Sequence, residues 1–93
     1  MFDRILKQMR DRVRTRQYLM TLHAEEEMAS DALSIFDVES AVLTGGIIER
    51  QRDAQTAEWK YLVRGRTLAD EWVVVVGKLS PTGKLVFITV YRE

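Results

Sequence analysis

Hydrophobic residues in the first part of the chain recur at the spacing of one face of an α-helix. The pattern predicts an amphipathic helix over residues 2–15, with basic side chains on its remaining surface. Basic helices also serve as transit peptides or membrane-surface anchors, but Asp3, Asp11 and the narrow apolar stripe favour a helix packed against the domain. The apolar stripe consists of Phe2, Ile5, Leu6, Met9 and Val13.

The next segment predicts a short strand and the first of two helices. Residues 17–21 are rich in strand formers, and Thr21 is placed to cap the helix that follows. The apolar stripe of this helix consists of Ala24, Met28 and Ala32.

The second helix has clear start and stop signals. Ser34 and Asp37 have the spacing of a capping box, which predicts that the helix begins at this point. The paired glycines Gly45 and Gly46 are expected to end it with a residue in the left-handed conformation.

After Gly46 the hydrophobic period changes from that of a helix to that of a strand. We therefore expect an α+β fold with an N-terminal helix, a short strand, a helix pair and a four-stranded antiparallel meander. The four strands of the meander are predicted at residues 47–52, 57–64, 70–78 and 84–92.

The last two predicted strands are apolar on both faces, which is typical of strands that lie inside a protein. We therefore expect both faces of the sheet to be covered. The helix pair is predicted to cover one face, and either the N-terminal helix or a second copy of the chain to cover the other.

Length and composition restrict the class of protein. The 93 residues are 46% hydrophobic and 30% charged, which is typical of a folded protein and suffices for one domain over residues 1–93. No apolar run approaches the roughly 20 residues that cross a bilayer, so we expect no membrane association. The chain contains no cysteine, which suits the reducing cytoplasm, the compartment in which we expect the protein.

The formal charge is zero, but the charges are unevenly distributed. Residues 1–16 carry six basic and two acidic side chains, a balance of +4, whereas residues 17–48 carry six acidic and no basic side chains, a balance of −6. A dedicated nucleic-acid binder usually has a basic total, because its affinity comes largely from neutralising phosphates. Any such role would have to use a local basic patch.

The single histidine is the leading candidate for acid–base chemistry, because histidine ordinarily changes charge near neutral pH. Glu26 and Glu27 follow His23 by three and four residues, so a histidine–carboxylate pair can form on one helix face. Such a pair can orient an imidazole base, or the histidine can be structural. A metal site with Asp31 lacks the ligand number of a zinc site, and we expect neither a metal nor another cofactor.

A second candidate site lies on the predicted sheet. Lys60, Arg64 and Arg92 are expected on the mixed faces of neighbouring strands, where they can form a basic strip beside Tyr91. The strip is a candidate phosphate site, and the alternative is that these charges keep the sheet edges soluble. Trp59 and Trp72 are expected to fill the core, and the alternative is that bases stack on them. The chain contains no phosphate-binding loop, nucleophile elbow or dinucleotide fingerprint.

The helix pair and the strands together resemble a family of small bacterial proteins of unknown function. That family has the pattern R-H-A-x-x-R-M-x-x-R-x-[IL], then Asp/Glu-Val, a glycine at a helix end, a strand containing Tyr and a terminal T-V-Y. The resemblance covers residues 18–92, leaves the basic helix of residues 1–16 outside, and implies a fold similar to the BrnT and RelE/ParE toxins of toxin–antitoxin systems. The matching residues are His23, Ala24, Met28, Leu33, Asp37, Val38, Gly45, Tyr61, Gly65, Thr89, Val90 and Tyr91.

Three positions depart from the family pattern because a basic side chain is missing: Leu22, Glu27 and Asp31. In RelE-like ribonucleases, basic side chains bind the scissile phosphate and stabilise the charge that develops during cleavage. A carboxylate would repel the phosphate. The resemblance therefore implies either a weakened site or a different ligand.

Two functional hypotheses follow. The resemblance implies a toxin-like domain that binds or cleaves RNA, with His23 and Tyr91 as catalytic residues and an antitoxin as a partner. The charge distribution instead favours a non-catalytic interaction or regulatory module that binds another protein or a second copy of itself as a homodimer. The binding residues expected under one or the other hypothesis are Lys60, Arg64, Arg92, Glu26 and Glu27.

Overall fold

The computed structural model of the chain describes residues 1–93, which form three helices and five strands. The predicted α+β class is confirmed. No helix combines the length and the apolar composition needed to span a membrane. In chain order the elements are α1 (Asp3–Arg14), β1 (Tyr18–Met20), α2 (Leu22–Ser30), α3 (Ile35–Thr44), β2 (Gly46–Arg52), β3 (Trp59–Arg66), β4 (Trp72–Leu79) and β5 (Leu85–Arg92).

The five strands form one mixed sheet in the order β1-β5-β4-β3-β2. Strands β2 to β5 are antiparallel neighbours, as the predicted meander requires. The expected four-stranded antiparallel sheet is nevertheless wrong by one strand, because β1 pairs in parallel with β5 and places Tyr18 opposite Leu85. A three-residue strand has no periodicity that could identify a partner at the other end of the chain.

Strands β3 and β4 begin later than the hydrophobic pattern predicts. Ala57 and Asp70, which were included in the predicted strands, have φ angles of 60° and 63°, and such angles occur in turns. The Ala57 amide donates to the Asp53 carbonyl at 2.8 Å, and the Asp70 amide donates to the Thr67 carbonyl at 2.9 Å. Turn hydrogen bonds therefore override the strand pattern at both positions.

The start signals of α2 and α3 act as predicted. The Ala24 amide donates to the Thr21 hydroxyl at 3.1 Å. In the capping box, the Asp37 amide donates to the Ser34 hydroxyl at 3.3 Å and the Ser34 amide donates to the Asp37 carboxylate at 2.9 Å. The apolar stripe of α2 is shorter than expected, because Ala32 has a φ of 54° and lies beyond the helix end.

Gly45 ends α3 for a reason that differs from the predicted one. Its φ of −99° and ψ of −167° belong to extended backbone, so the expected left-handed conformation is absent. A Cβ at this position would overlap the backbone carbonyl of Arg64 and would lie 2.6 Å from the Ala41 carbonyl oxygen. Glycine is therefore needed because α3 and β3 approach each other closely.

All three helices pack on one face of the sheet and share one hydrophobic core. Of the two predicted alternatives, the one in which α1 covers the opposite face is therefore wrong. Arg10 holds α1 against the end of α3 by donating to the carbonyls of Val42 at 3.2 Å and Gly45 at 2.8 Å. The core includes Met9, Val13, Ala24, Met28, Val38, Ala41 and Val42 from the helices and Tyr61, Val63, Val73, Val75, Leu85, Phe87 and Val90 from the sheet.

The second face of the sheet carries no helix and is called the helix-free face below. Val74 and Val76 of β4 lie on this face, yet they are only 1% and 7% exposed. Val74 is flanked in register by Arg64 and Tyr91, and Val76 is flanked by Leu62. Longer side chains of this kind can bury a neighbouring valine by laying their apolar parts along a sheet surface. A covering layer is therefore not needed to bury the two-sided strand.

The Asp37 carboxylate joins the start of α3 to the turn between β3 and β4. It accepts hydrogen bonds from the Ser34 amide at 2.9 Å and from the Leu68 amide at 3.1 Å. These backbone hydrogen bonds, above all the one from Ser34, lower the pKa of Asp37 below its ordinary value of 3.8. The carboxylate therefore stabilises the fold in its ionised form.

Replacing Asp37 with Asn should lower the free energy of unfolding at pH 7 by about 1 kcal/mol. Because the folded-state pKa is the lower one, the native carboxylate stabilises the protein above pH 3.8. That contribution is lost as the pH falls through the folded-state value. Urea unfolding at a series of pH values should show that the native protein and the variant differ less in free energy of unfolding as the pH falls below 3.8. A difference that stays constant down to acid pH would contradict the assignment.

Candidate functional site

The predicted site residues are divided between the two sides of the sheet. His23, Glu26, Glu27 and Arg92 lie on the helix side, and Lys60, Arg64 and Tyr91 lie on the helix-free face. Tyr91 and Arg92 are consecutive in β5 and therefore point to opposite faces. The expected strip of three cations beside Tyr91 is not formed, because it lacks Arg92.

His23 is an exposed side chain beside a glutamate that supports the sheet. Its Nε2 atom lies 3.4 Å from Glu27 Oε1, and the side chains of His23 and Glu27 are 64% and 25% exposed. The same Glu27 oxygen accepts a hydrogen bond from the Val90 amide of β5 at 3.0 Å. The two side chains are therefore close enough to pair, but the carboxylate also binds the backbone.

Helix α2 covers the part of β5 that β1 does not reach. Strand β1 pairs with only the first three residues of β5. Beyond them, the Thr21 hydroxyl donates to the Ile88 carbonyl at 3.1 Å, and Glu27 accepts from Val90. Side chains thus replace the missing strand and satisfy backbone groups that would otherwise lack partners.

Arg92 is occupied by structural contacts. Its Nε and one terminal nitrogen donate to the Asp31 carbonyl at 3.0 and 2.8 Å, and its other terminal nitrogen pairs with Glu71 at 2.7 Å. These bonds join the end of α2 to the residues that precede β4. Three of the five N–H donors of this guanidinium are therefore engaged with the protein itself.

The outer surface of α2 contains a shallow acidic recess with a volume of about 310 Å³. Its lining contains no hydrophobic residue, and its carboxylates would repel a phosphate. No group of three or more His, Asp or Glu side chains in the structure is arranged to hold a metal ion. The lining residues are His23, Glu26, Glu27, Ser30 and Asp31.

The helix-free face carries two arginines stacked on a tryptophan, an arrangement called the Trp72 stack below. The guanidinium carbons of Arg64 and Arg66 lie 3.8 and 4.3 Å from the centre of the Trp72 ring. Arg64 also pairs with Glu93, and Arg66 pairs with Asp70 at 2.8 Å. All four charged side chains are more than a third exposed, so each ion pair contributes little and a phosphate can compete with the carboxylates.

Tyr91 and Lys60 also lie on the helix-free face. Tyr91, Val74 and Arg64 form one row across three strands, so the phenol and the guanidinium lie on either side of a valine. Tyr91 is 38% exposed. Lys60 lies further along β3, beside the β2–β3 hairpin. This face therefore presents cations together with aromatic rings.

The assignment of both tryptophans to the core is wrong. Trp59 and Trp72 are 37% and 38% exposed. Trp59 forms a second stack, the Trp59 stack, in which the guanidinium carbons of Arg50 and Arg52 lie 4.0 and 4.4 Å from the ring centre. In both stacks, two arginines separated by one residue end a strand and a tryptophan begins the next strand. The spacing R-x-R followed by Trp across a hairpin was the signal in the sequence that could have identified them.

Other shifted pKa values belong to structural contacts. Burial, together with a hydrogen bond to Glu39, raises the pKa of Tyr18 to about 12. A backbone hydrogen bond lowers the pKa of Asp53, and a hydrogen bond from Lys78 lowers the pKa of Glu58. Lys78 lies 3.9 Å from Asp53 and 3.0 Å from Glu58, so these carboxylates share one cation.

Replacing Glu27 with Ala should lower the free energy of unfolding by about 1–2 kcal/mol, because the Val90 amide loses its acceptor. Glu26→Ala is the matched control and should change stability by less than about 0.5 kcal/mol, since Glu26 is exposed and makes no hydrogen bond. His23→Ala should resemble the control. Urea denaturation of the three variants checks this order, and equal effects of Glu26→Ala and Glu27→Ala would show that the contact with Val90 contributes nothing.

Comparison with known proteins places most of these elements in one family. Residues 20–92 match the family described as Domain of unknown function (DUF4258). The match begins at the last residue of β1 and extends to the end of β5, so α1 lies outside it. No curated protein and no solved structure matches the chain. Since the family match covers well over half of the chain, the protein belongs to the family of the Domain of unknown function (DUF4258).

Proposed function

We propose that this domain binds single-stranded RNA on its helix-free face and is related in fold to the BrnT and RelE/ParE toxins. The observation that supports this most strongly is the Trp72 stack, which lies on the same face as Tyr91 and Lys60. Unpaired bases stack on aromatic rings and guanidinium planes, while neighbouring cations bind the phosphates. A face that no helix covers leaves these groups accessible to an extended strand.

We further propose that RNA is bound without cleavage by His23. The imidazole lies on the helix side of the sheet, away from Tyr91 and the Trp72 stack, and the nearby carboxylates disfavour a phosphate. The acidic residue at position 27 has a structural role in this proposal, because it accepts the Val90 amide. An arginine, as the family pattern has at this position, has no acceptor atom and could not do so.

Fluorescence anisotropy with a labelled single-stranded RNA of about 12 nucleotides tests the proposal. We expect binding that weakens as the salt concentration rises from about 50 to about 200 mM, because cations are released from the phosphates. Arg64→Gln combined with Arg66→Gln should weaken binding about tenfold or more, whereas His23→Ala should leave it unchanged. Absence of salt-sensitive binding in the native protein would overturn the proposal.

Expression in a bacterial host separates binding from cleavage. The proposal predicts that His23→Ala grows like the native protein. Growth arrest by the native protein that His23→Ala relieves would contradict the non-cleaving role and would support a toxin ribonuclease.

A second candidate function, self-association, is favoured by an apolar groove on the outer face of α3. Phe36 and Leu43 are 51% and 38% exposed, and Leu68 beside them is 70% exposed. They line a groove of about 320 Å³. Phe36, Ser40 and Leu43 have the spacing of one helix face, so two copies of α3 could pack antiparallel about a twofold axis, with the small Ser40 at the crossing.

Sedimentation over a range of protein concentrations distinguishes this candidate. Self-association through α3 predicts a dimer that Phe36→Glu converts to a monomer without loss of fold. A native protein that stays monomeric at all concentrations would exclude it.

A further inference from the structure

The Trp59 stack lies where the hairpin of β2 and β3 meets the start of α1. Besides its contact with Trp59, the Arg50 guanidinium lies 5.9 Å from the ring of Phe2, the residue that precedes α1. The Phe2 ring in turn packs edge-on against Tyr61 at 5.9 Å. Aromatic contacts therefore hold the guanidinium at the surface in a defined position.

The two arginines of the Trp59 stack have no acidic partner. Arg50 makes no hydrogen bond or ion pair, and Arg52 makes one hydrogen bond, to the Ala57 carbonyl at 2.6 Å. This distinguishes them from the arginines of the Trp72 stack, each of which pairs with a carboxylate. Since a guanidinium has five N–H donors, most donors of this pair remain available.

The carboxylates near this hairpin are committed to other groups. Asp53 and Glu58 lie on either side of Lys78. Glu49 accepts a hydrogen bond from Gln51, and both of these residues alternate onto the helix-free face. The positive charges of Arg50 and Arg52 therefore lie on the other face of β2 and have no counter-ion.

Helix α1 carries further positive charge near its start. Arg4 and Lys7 lie in its first two turns, where both side chains are exposed and neither forms an ion pair or a hydrogen bond. Asp3 is the acidic residue of the first turn. Cations that form no ion pair are therefore found on two elements that are distant in sequence, and the contact of Phe2 with Arg50 joins these elements.

We propose that the Trp59 stack is a second phosphate-binding site, which takes the backbone of the same RNA strand that the helix-free face binds. Guanidinium groups that lie flat on an indole keep their N–H edges free for bidentate contacts with phosphate oxygens. The inference rests on the proposed function, because it names the path of the RNA beyond the first site.

The topology provides a short path between the two sites. Trp59 and Lys60 are consecutive in β3 and point to opposite faces. Strand β2 is the edge of the sheet on this side, so RNA leaving the helix-free face at Lys60 crosses only β2. Beside Trp59, a recess of about 280 Å³ between Ile5, Tyr61 and Leu79 offers space for an unstacked base.

The test compares two double variants that each remove two arginines separated by one residue. Arg50→Gln/Arg52→Gln removes the stack, and Arg14→Gln/Arg16→Gln, at the end of α1, is the matched control. Binding is measured with RNA of about 4 and about 12 nucleotides, lengths that span one site or both. For the longer RNA, the stack variant should bind about tenfold more weakly than the control, and its salt slope should fall by about 1.4, or about 0.7 for each lost phosphate contact.

The shorter RNA should bind the native protein and the stack variant equally. Arg50→Lys/Arg52→Lys keeps both charges and should retain most of the salt slope. If the stack variant unfolds, as judged by circular dichroism, Arg50→Gln alone is measured, since it leaves the hydrogen bond from Arg52 to Ala57 in place. If the native protein binds both RNAs, and the stack and control variants lose the same amount of affinity, this inference alone is overturned. If the native protein binds neither RNA, the proposed function is overturned.

Discussion

Replacing Gly65 with Ala is expected to remove a large part of the stability of the fold. Gly65 lies in β3 directly beneath α3, where a Cβ would overlap the carbonyl oxygen of Ala41 and lie 2.7 Å from its carbonyl carbon. Both obstacles are backbone atoms of a helix, so no side-chain rotation can relieve the clash. Overpacking of this kind should cost about 3 kcal/mol or more, a large part of the roughly 5–15 kcal/mol that stabilises a typical domain.

Gly46→Ala is the matched control for this substitution. A Cβ on Gly46 would have no neighbouring atom within 4 Å, and its φ is not in the left-handed region. Thermal unfolding followed by circular dichroism should therefore give a midpoint close to that of the native protein for Gly46→Ala. For Gly65→Ala the transition should be strongly lowered or lost. Similar midpoints for both variants would mean that α3 does not approach β3 as closely as described.

The second large effect is expected from Met9, the innermost residue of α1. Met9 is 0% exposed, and its terminal methyl group lies over Gly77 of β4, where it would meet an added Cβ at 3.4 Å. Met9→Ala should leave a cavity between α1 and the sheet and should lower the free energy of unfolding by about 2–5 kcal/mol. Lys7→Ala, on the exposed side of the same helix, should change it by less than about 0.5 kcal/mol.

Removal of residues 1–15 should have a still larger effect than Met9→Ala. It deletes Val13 as well, together with the hydrogen bonds from Arg10 to the end of α3 and the bond from Arg12 to Gly83. We expect the shortened chain to be unfolded or aggregated in urea titrations and in size-exclusion chromatography. A folded, monomeric product would show that the matched family region, residues 20–92, does not depend on α1.

The candidate site could be predicted from the sequence only in part. The pair formed by His23 and Glu27 was predictable, because residues four apart on a helix are neighbours whatever the rest of the fold does. The bond from Val90 to Glu27 was not predictable, because it depends on where β1 stops covering the edge of β5. The role of the glutamate therefore emerged only in the folded molecule.

The basic residues illustrate the same division. Strand geometry alone requires consecutive residues such as Tyr91 and Arg92 to point to opposite faces. The predicted basic strip did not take this alternation into account. Which cations have partners depends on contacts between distant parts of the chain: Arg64 pairs with Glu93, while Arg50 forms no ion pair. Counter-ions influence how readily a guanidinium binds a phosphate. The sequence therefore did not reveal that the arginines without a counter-ion lie in β2.

By itself the sequence determined the amphipathic α1, the N-terminal caps of α2 and α3, and the antiparallel order of β2 to β5. Each of these depends on residues within a few positions of one another or on hairpins between successive strands. Only the tertiary structure decided that β1 pairs with β5, that all three helices share one face, and that glycine at position 45 serves close packing. These features depend on contacts between residues far apart in the chain, which local hydrophobic periodicity does not encode.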